Sequence, residues 1–152
     1  MTATKPFAPG ATPEGEGGDY RVHEQIGFVL RKANQRHLAI FAAHIGDMTP
    51  PQFATLAKLA EVGETSQNQL GSLVAMDAAT IKGVIDRLKA RGFVEVRNHE
   101  EDRRRIVVSL TQAGGDALAR LVPAAHAVTE ETLAPLTGRE AATLMRLLAK
   151  LA

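Results

Sequence analysis

Apolar side chains recur at helical spacing along most of this chain and at strand spacing in one short stretch only. Val22, Ile26, Val29, Leu30, Ala33, His37, Ile40, Phe41 and His44 form one long stripe, which predicts a helix over about residues 20–45, ended by Gly46 and Asp47. Thr49, Pro50, Pro51 and Gln52 then combine a capping box with proline at the first helical position, and Met48 is placed to staple against Phe53. The helix that follows is expected to bury Phe53, Leu56, Leu59 and Ala60 and to stop near Val62 and Gly63. Ser66 and Gln69 repeat the capping-box spacing ahead of Leu70, Leu73 and Val74. Met76 and Asp77 break that phase, and Asp77 caps a further helix with Ile81, Val84, Ile85 and Leu88 inward, closed by Gly92. Residues 93–97 and 106–110 read as two strands around a charged loop. Helical spacing resumes behind Thr111, with Leu118, Leu121, Val122 and Ala125 apolar and Pro123 as a bend, to about residue 132. A last capping box, Thr137 and Glu140, opens a helix carrying Leu144, Leu147, Leu148 and Leu151.

The order of these elements defines a fold class: mainly α with a small β-hairpin wing, a winged helix-turn-helix with additional N- and C-terminal helices. Residues 1–18, with Pro6, Pro9, Pro13 and four glycines, are expected to be a disordered tail, and residues 19–152 one domain. Within it the winged helix-turn-helix occupies about residues 49–110. The helices at about 20–45 and 111–152 lie outside that compact unit, so their apolar stripes need cover. Either a second copy of the chain supplies it by two-fold symmetry, or the three helices pack on one another within the chain.

The hairpin loop carries the clearest chemistry. Asp102 is followed by Arg103, Arg104 and Arg105, three adjacent guanidiniums that repel one another and gain nothing from a core. Either they pair locally with Glu100, Glu101 and Asp102, or they meet a polyanion, for which a narrow cationic hairpin has the width of a DNA minor groove. The preceding helix turns Ala79, Thr80, Lys82, Gly83, Asp86 and Arg87 outward, small or polar residues suited to a major groove. Thr80 and Lys82 are the candidates for base-edge contact, with Ala79 allowing close approach. Ser66, Gln67 and Arg87 are the candidates for phosphate contact. Asp102 is expected to brace the Arg104 guanidinium, leaving Arg103 and Arg105 for phosphates or the wing backbone.

The succession of helix-turn-helix, hairpin and helix, with Asp102, Arg104, Leu110 and Thr111 at the spacing D-x-R-x-x-x-x-x-L-T, resembles the MarR family of bacterial winged-helix regulators. The resemblance runs from about Val22 to the C-terminus and includes the segments 48–56 and 88–95. It implies a homodimer whose paired wings and recognition helices bind a pseudo-palindromic double-stranded DNA operator, usually as a repressor released by a small ligand. Gly83 departs from the family pattern, which often has a larger polar or basic side chain there, and this shifts base reading to Thr80 and Lys82.

Composition narrows the choice further. Hydrophobic residues make up 45% of the 152 residues and aromatics only 4%, which suits an aliphatic helical core. With 18 Lys and Arg against 17 Asp and Glu, total charge says nothing about DNA. The argument rests on clustering, because Lys82, Arg87, Lys89, Arg91, Arg97 and Arg103 to Arg105 share one short segment. Without cysteine there is no disulfide, thiol sensor or thiolate zinc site. No apolar run long enough for a membrane span and no secretory segment is apparent, so a cytoplasmic protein is expected. No P-loop, dinucleotide fingerprint or nucleophile elbow occurs, and neither an enzyme nor a cofactor is expected.

His37, Phe41 and His44 share one face of the first helix. Two imidazoles beside an aromatic ring suit a small aromatic or heteroaromatic acid effector, with His37 or His44 at its polar end and Phe53 as the opposite wall; equally, each His is a hydrogen-bonded packing residue. Arg36 and Asn34 flank the stripe. His37 and His44 stand about two turns apart, roughly 10 Å along the axis, too far to share one ion readily. A metal-responsive regulator and a helical interaction protein that never touches DNA are the alternatives.

Overall fold

The computed structural model describes residues 20–152, so the tail expected at 1–18 lies outside the described residues. A 3-10 turn, Val22–Glu24, precedes helix α1 (Ile26–His44). Then come α2 (Pro50–Val62), strand β1 (Thr65–Ser66), α3 (Gln67–Leu73), α4 (Ala78–Ala90), β2 (Val94–Asn98), β3 (Ile106–Leu110), α5 (Gln112–Leu133) and α6 (Gly138–Leu148). Two compact units meet within α1, one ending at Asn34 and the other running from Gln35 to the C-terminus.

In the first unit the expected apolar stripe forms but is bare: Val22, Ile26, Val29 and Leu30 are all exposed. The regular helix also starts later than the stripe suggests, because Gln25 adopts an extended backbone between the 3-10 turn and Ile26.

The second unit holds the core, where Ile40, Phe41 and Ile45 meet Met48, Leu56, Leu59, Leu70, Ile81, Ile85, Leu88 and Val108. Helix starts follow the side-chain logic of the sequence. Thr49 and Thr137 form reciprocal capping boxes with Gln52 and Glu140, and Asp77 and Thr111 accept the amides of Thr80 and Gly114. Ser66 departs from the pattern. Its hydroxyl accepts the Gln69 amide, but the Gln69 side chain takes a hydrogen bond from Thr65 instead of closing the box, because Ser66 also belongs to a strand. Two positions expected inside point outward: Ala60 is exposed, and Leu73 is 43% exposed at the end of a helix only seven residues long. Thr55 and Gln52 take the inner face of α2, with the Thr55 hydroxyl bonded to the Pro51 carbonyl.

The α3–α4 turn is tight. Met76 N–H donates to the Gly71 carbonyl at 2.8 Å, and Ala75 sits at φ 55°, a left-handed conformation costly for a residue with a Cβ. Ala75→Gly is expected to raise unfolding free energy by about 1 kcal/mol, measured from urea midpoints.

The sheet has three strands in the order β1-β3-β2, all antiparallel. In the outer ladder Val94 pairs with Leu110 and Asn98 with Ile106; in the inner one Thr65 pairs with Val108 and Ser66 with Val107. The two-residue β1 has no periodicity of its own for a sequence to display. Its consequence is mechanical, because Ser66 both pairs with β3 and caps α3, so wing and helix-turn-helix share one residue. Helix α5 buries Gly114, Ala117, Leu118 and Val128, packing partly within the chain against α2. Helix α6 buries nothing, and Leu144, Met145, Leu147, Leu148 and Leu151 are exposed.

Candidate nucleic-acid interface and effector site

At the wing tip the chain reverses through a turn in which Arg105 N–H donates to the Asp102 carbonyl at 2.9 Å. The Asp102 carboxylate accepts the Arg104 backbone amide at 3.0 Å. The expected brace therefore acts on the backbone of Arg104 and not on its guanidinium: an aspartate two residues before an amide closes an Asx turn more readily than it reaches a long side chain. Arg103, Arg104 and Arg105 are exposed, and among the described residues none of them pairs with Glu100, Glu101 or Asp102. Arg97, near the loop end of β2, is instead tied to Glu64 beside β1.

The start of α3 comes up against this hairpin. Ser66, Gln67 and Asn68 line a small concavity of about 110 Å³ with Arg104, Arg105 and Ile106. Two phosphate-contact candidates and two wing arginines, some forty residues apart in the chain, thus converge, and Asn68 joins them. Nothing in the sequence marked Asn68, because its place depends on the β1–β3 pairing.

On α4 the inward residues Ile81, Val84, Ile85 and Leu88 are all buried, and Ala79, Thr80, Lys82 and Arg87 are exposed. Ala79, Thr80, Gly83 and Arg87 line a groove of about 490 Å³ with Thr49, Pro51 and Gln52 of the α2 start. Both base-contact candidates are already engaged. Lys82 Nζ lies 2.7 Å from Asp86 Oδ2, one turn along the helix. Thr80 lends its amide, then its hydroxyl, to Asp77, and these hydrogen bonds hold the Asp77 carboxyl below the ordinary aspartate range. The Arg87 guanidinium runs along the helix past Gly83: a Cβ there would stand 3.6 Å from its Nη1.

The effector candidates divide. His37 Nδ1 is 3.0 Å from Thr132 Oγ1, and His44 Nε2 is 2.7 Å from Glu131 Oε2, so both imidazoles address the end of α5. Arg36 completes this clasp by donating to the Glu131 and Thr132 carbonyls at 2.8 and 2.7 Å, satisfying acceptors that the last turn of a helix leaves open. Phe41 and Phe53 meet edge-on with centroids 6.3 Å apart. Phe41 also lines an open cleft of about 640 Å³ with Ile45, Met48, Gln52 and Arg91. Of the four candidates, Phe41 alone reaches that cleft. Arg91 at its rim stacks 4.6 Å from the Phe93 ring centroid and donates to the Asp47 carbonyl at 2.8 Å.

The fold agrees with comparison to known proteins. The MarR family model matches residues 48–106, from the α2 cap into β3. The HTH-type transcriptional repressor NicR of Pseudomonas putida is 38% identical over 97% of this chain and 94% of its own. The chain belongs to the MarR family. A crystal structure of a probable transcriptional regulator from Pseudomonas aeruginosa shares 50% identity at a TM-score of 0.84, covering 87% of this chain and all of that one. BpsR of Bordetella bronchiseptica, whose structure is described as explaining regulation of DNA binding by 6-hydroxynicotinic acid, shares 38% identity at a TM-score of 0.84. It covers 88% of this chain and 97% of its own.

As a MarR-family member the chain is a DNA-binding transcriptional regulator and not an enzyme. Its winged-helix fold with a three-stranded wing sheet is that of the family's solved structures. No helix among the described residues is long and apolar enough to cross a membrane.

Proposed function

We propose that this MarR-family regulator acts in the cytoplasm as a homodimeric repressor, binds a pseudo-palindromic operator, and is released by a small aromatic or heteroaromatic acid. The observation that carries the DNA interface is the convergence of Ser66, Gln67, Arg104 and Arg105 on one concavity. Arg104 and Arg105 then follow the phosphates into the minor groove, while Ala79, Thr80 and Lys82 enter the major groove and Arg87 holds the backbone. The bare apolar rows of α6 and of residues 20–34 support the dimer, since each presents large hydrophobic side chains that a second copy of the chain would cover. Two-fold symmetry sets the recognition helices one duplex turn apart. Footprinting on an operator selected from a random duplex library is expected to show two half-sites about 10 base pairs apart. A single protected half-site contradicts the dimer.

The effector reading rests on the region of His37, Phe41, His44 and Phe53. Glu131 already sets a carboxylate 2.7 Å from His44, so a ligand carboxylate finds there a partner suited to its charge. By displacing Glu131 it loosens the clasp between α1 and α5 and alters the spacing of the two recognition helices. A tenfold loss of DNA binding needs about 1.4 kcal/mol of coupling, within reach of one charge-assisted contact. The relative BpsR, with its 6-hydroxynicotinic acid, supports this class of ligand, and the repressor NicR supports repression. With 6-hydroxynicotinic acid and a series of benzoic acids as probes, His37→Ala and His44→Ala proteins are expected to bind operator, and at least one to lose release by ligand. An unchanged response in both variants assigns the histidines to packing alone.

A further inference from the structure

Lys82 and Asp86 lie one turn apart on the exposed face of α4, joined at 2.7 Å, and both side chains are well exposed, at 64% and 59%. Apart from this carboxylate and that of Asp102, which the Arg104 amide occupies in the wing turn, the candidate DNA interface is cationic or neutral: Lys82, Arg87, Arg103, Arg104 and Arg105, with Ala79, Thr80, Ser66 and Gln67. A carboxylate there opposes every phosphate it approaches, and it can only accept. In a major groove its natural partner is the exocyclic amine of cytosine.

We propose that Lys82 and Asp86 act as one unit that reads a single G·C base pair. The major-groove edge of that pair presents two acceptors on guanine, N7 and O6, followed by one donor, the cytosine amino group. Lys82 supplies the donor for guanine, and Asp86 supplies the acceptor for cytosine. Their 2.7 Å contact sets the ammonium and the carboxylate side by side, a donor next to an acceptor. The turn between them helps. Gly83 projects no side chain beside the pair, and the Arg87 guanidinium runs past it along the helix. An exposed pair at this spacing is weakly held, so the base edge can take over its hydrogen bonds without a large cost. On unrelated DNA the same carboxylate has no amine to meet. It keeps Lys82 from the phosphates and repels them itself, which lowers non-specific affinity.

This inference rests on α4 lying in the major groove, and the test separates the two. An operator is selected with the full-length protein from a random duplex library, and every position is then replaced by each base pair. Binding of wild type, Lys82→Ala and Asp86→Ala is measured on these duplexes and on a shuffled duplex of equal length. Lys82→Ala and Asp86→Ala are expected to lose about tenfold discrimination at the same G·C position of each half-site and to leave the other positions unchanged. Asp86→Ala, unlike Lys82→Ala, is also expected to bind the shuffled duplex several-fold more tightly, with a steeper salt dependence. In a Lys82→Ala background that added steepness should vanish. Relaxation at two different positions, or at none, overturns the paired reading and leaves the regulator's DNA binding standing. Failure of the wild-type protein to select any duplex overturns both.

Discussion

Arg104→Ala is expected to weaken operator binding by about 1–3 kcal/mol per wing, and Asp102→Ala by nearly as much although it removes a negative charge from the interface. The two losses have different origins. Arg104 is an exposed cation with no carboxylate partner among the described residues, and its removal deletes a contact to DNA. Asp102 makes no use of its charge toward DNA. Its carboxylate closes the turn by accepting the Arg104 amide at 3.0 Å, so without it the three arginines sit on a frayed loop that must be ordered on binding. Titrations by fluorescence anisotropy at several salt concentrations distinguish the cases. Arg104→Ala should flatten the salt dependence by about one counterion per wing, whereas Asp102→Ala should lower affinity with the slope unchanged. Tighter binding by Asp102→Ala would mean that charge counting, not turn geometry, governs the wing.

The largest expected effect on stability comes from one of two adjacent glycines at the start of α5. At Gly114 a Cβ would stand 2.1 Å from the Phe93 carbonyl oxygen and 2.9 Å from Leu110 Cδ1. That carbonyl already accepts the Thr111 amide, and the Thr111 hydroxyl holds the Gly92 carbonyl at 2.7 Å, so the backbone has no freedom to retreat. Gly114→Ala should therefore cost about 3 kcal/mol, the upper range for forced overpacking, and lower the urea midpoint accordingly. Gly115→Ala is the control. Its Cβ would meet Leu110 Cδ2 at an ordinary 3.8 Å, and alanine is about 1 kcal/mol better than glycine inside a helix, so this substitution should stabilise. Equal effects from the two changes would show that helix propensity, not the approach to Phe93, decides the site.

The same contrast marks what the sequence determines here. Local rules were sufficient wherever the partner of a group lies within one helical turn or on one strand face. The caps at Thr49, Asp77, Thr111 and Thr137, the inward row Ile81, Val84, Ile85 and Leu88, and the strand 106–110 were all legible, because each depends on neighbours three or four residues away or on alternation. Ala60 and Leu73 were misread for the same reason: helical phase marks a face, but another element must arrive to bury it, and none does.

What tertiary structure alone decided are the meetings of distant segments. Strand β1 exists only because β3 offers it a ladder, and that pairing carries Ser66, Gln67 and Asn68 to the wing arginines. The histidines of α1 shared a face, as their spacing requires, yet their partners Glu131 and Thr132 lie nearly ninety or more residues away. Spacing dictates the direction of a side chain, because a helix is a local object. What stands in that direction is set by the packing of the whole core, and no short window of sequence contains it.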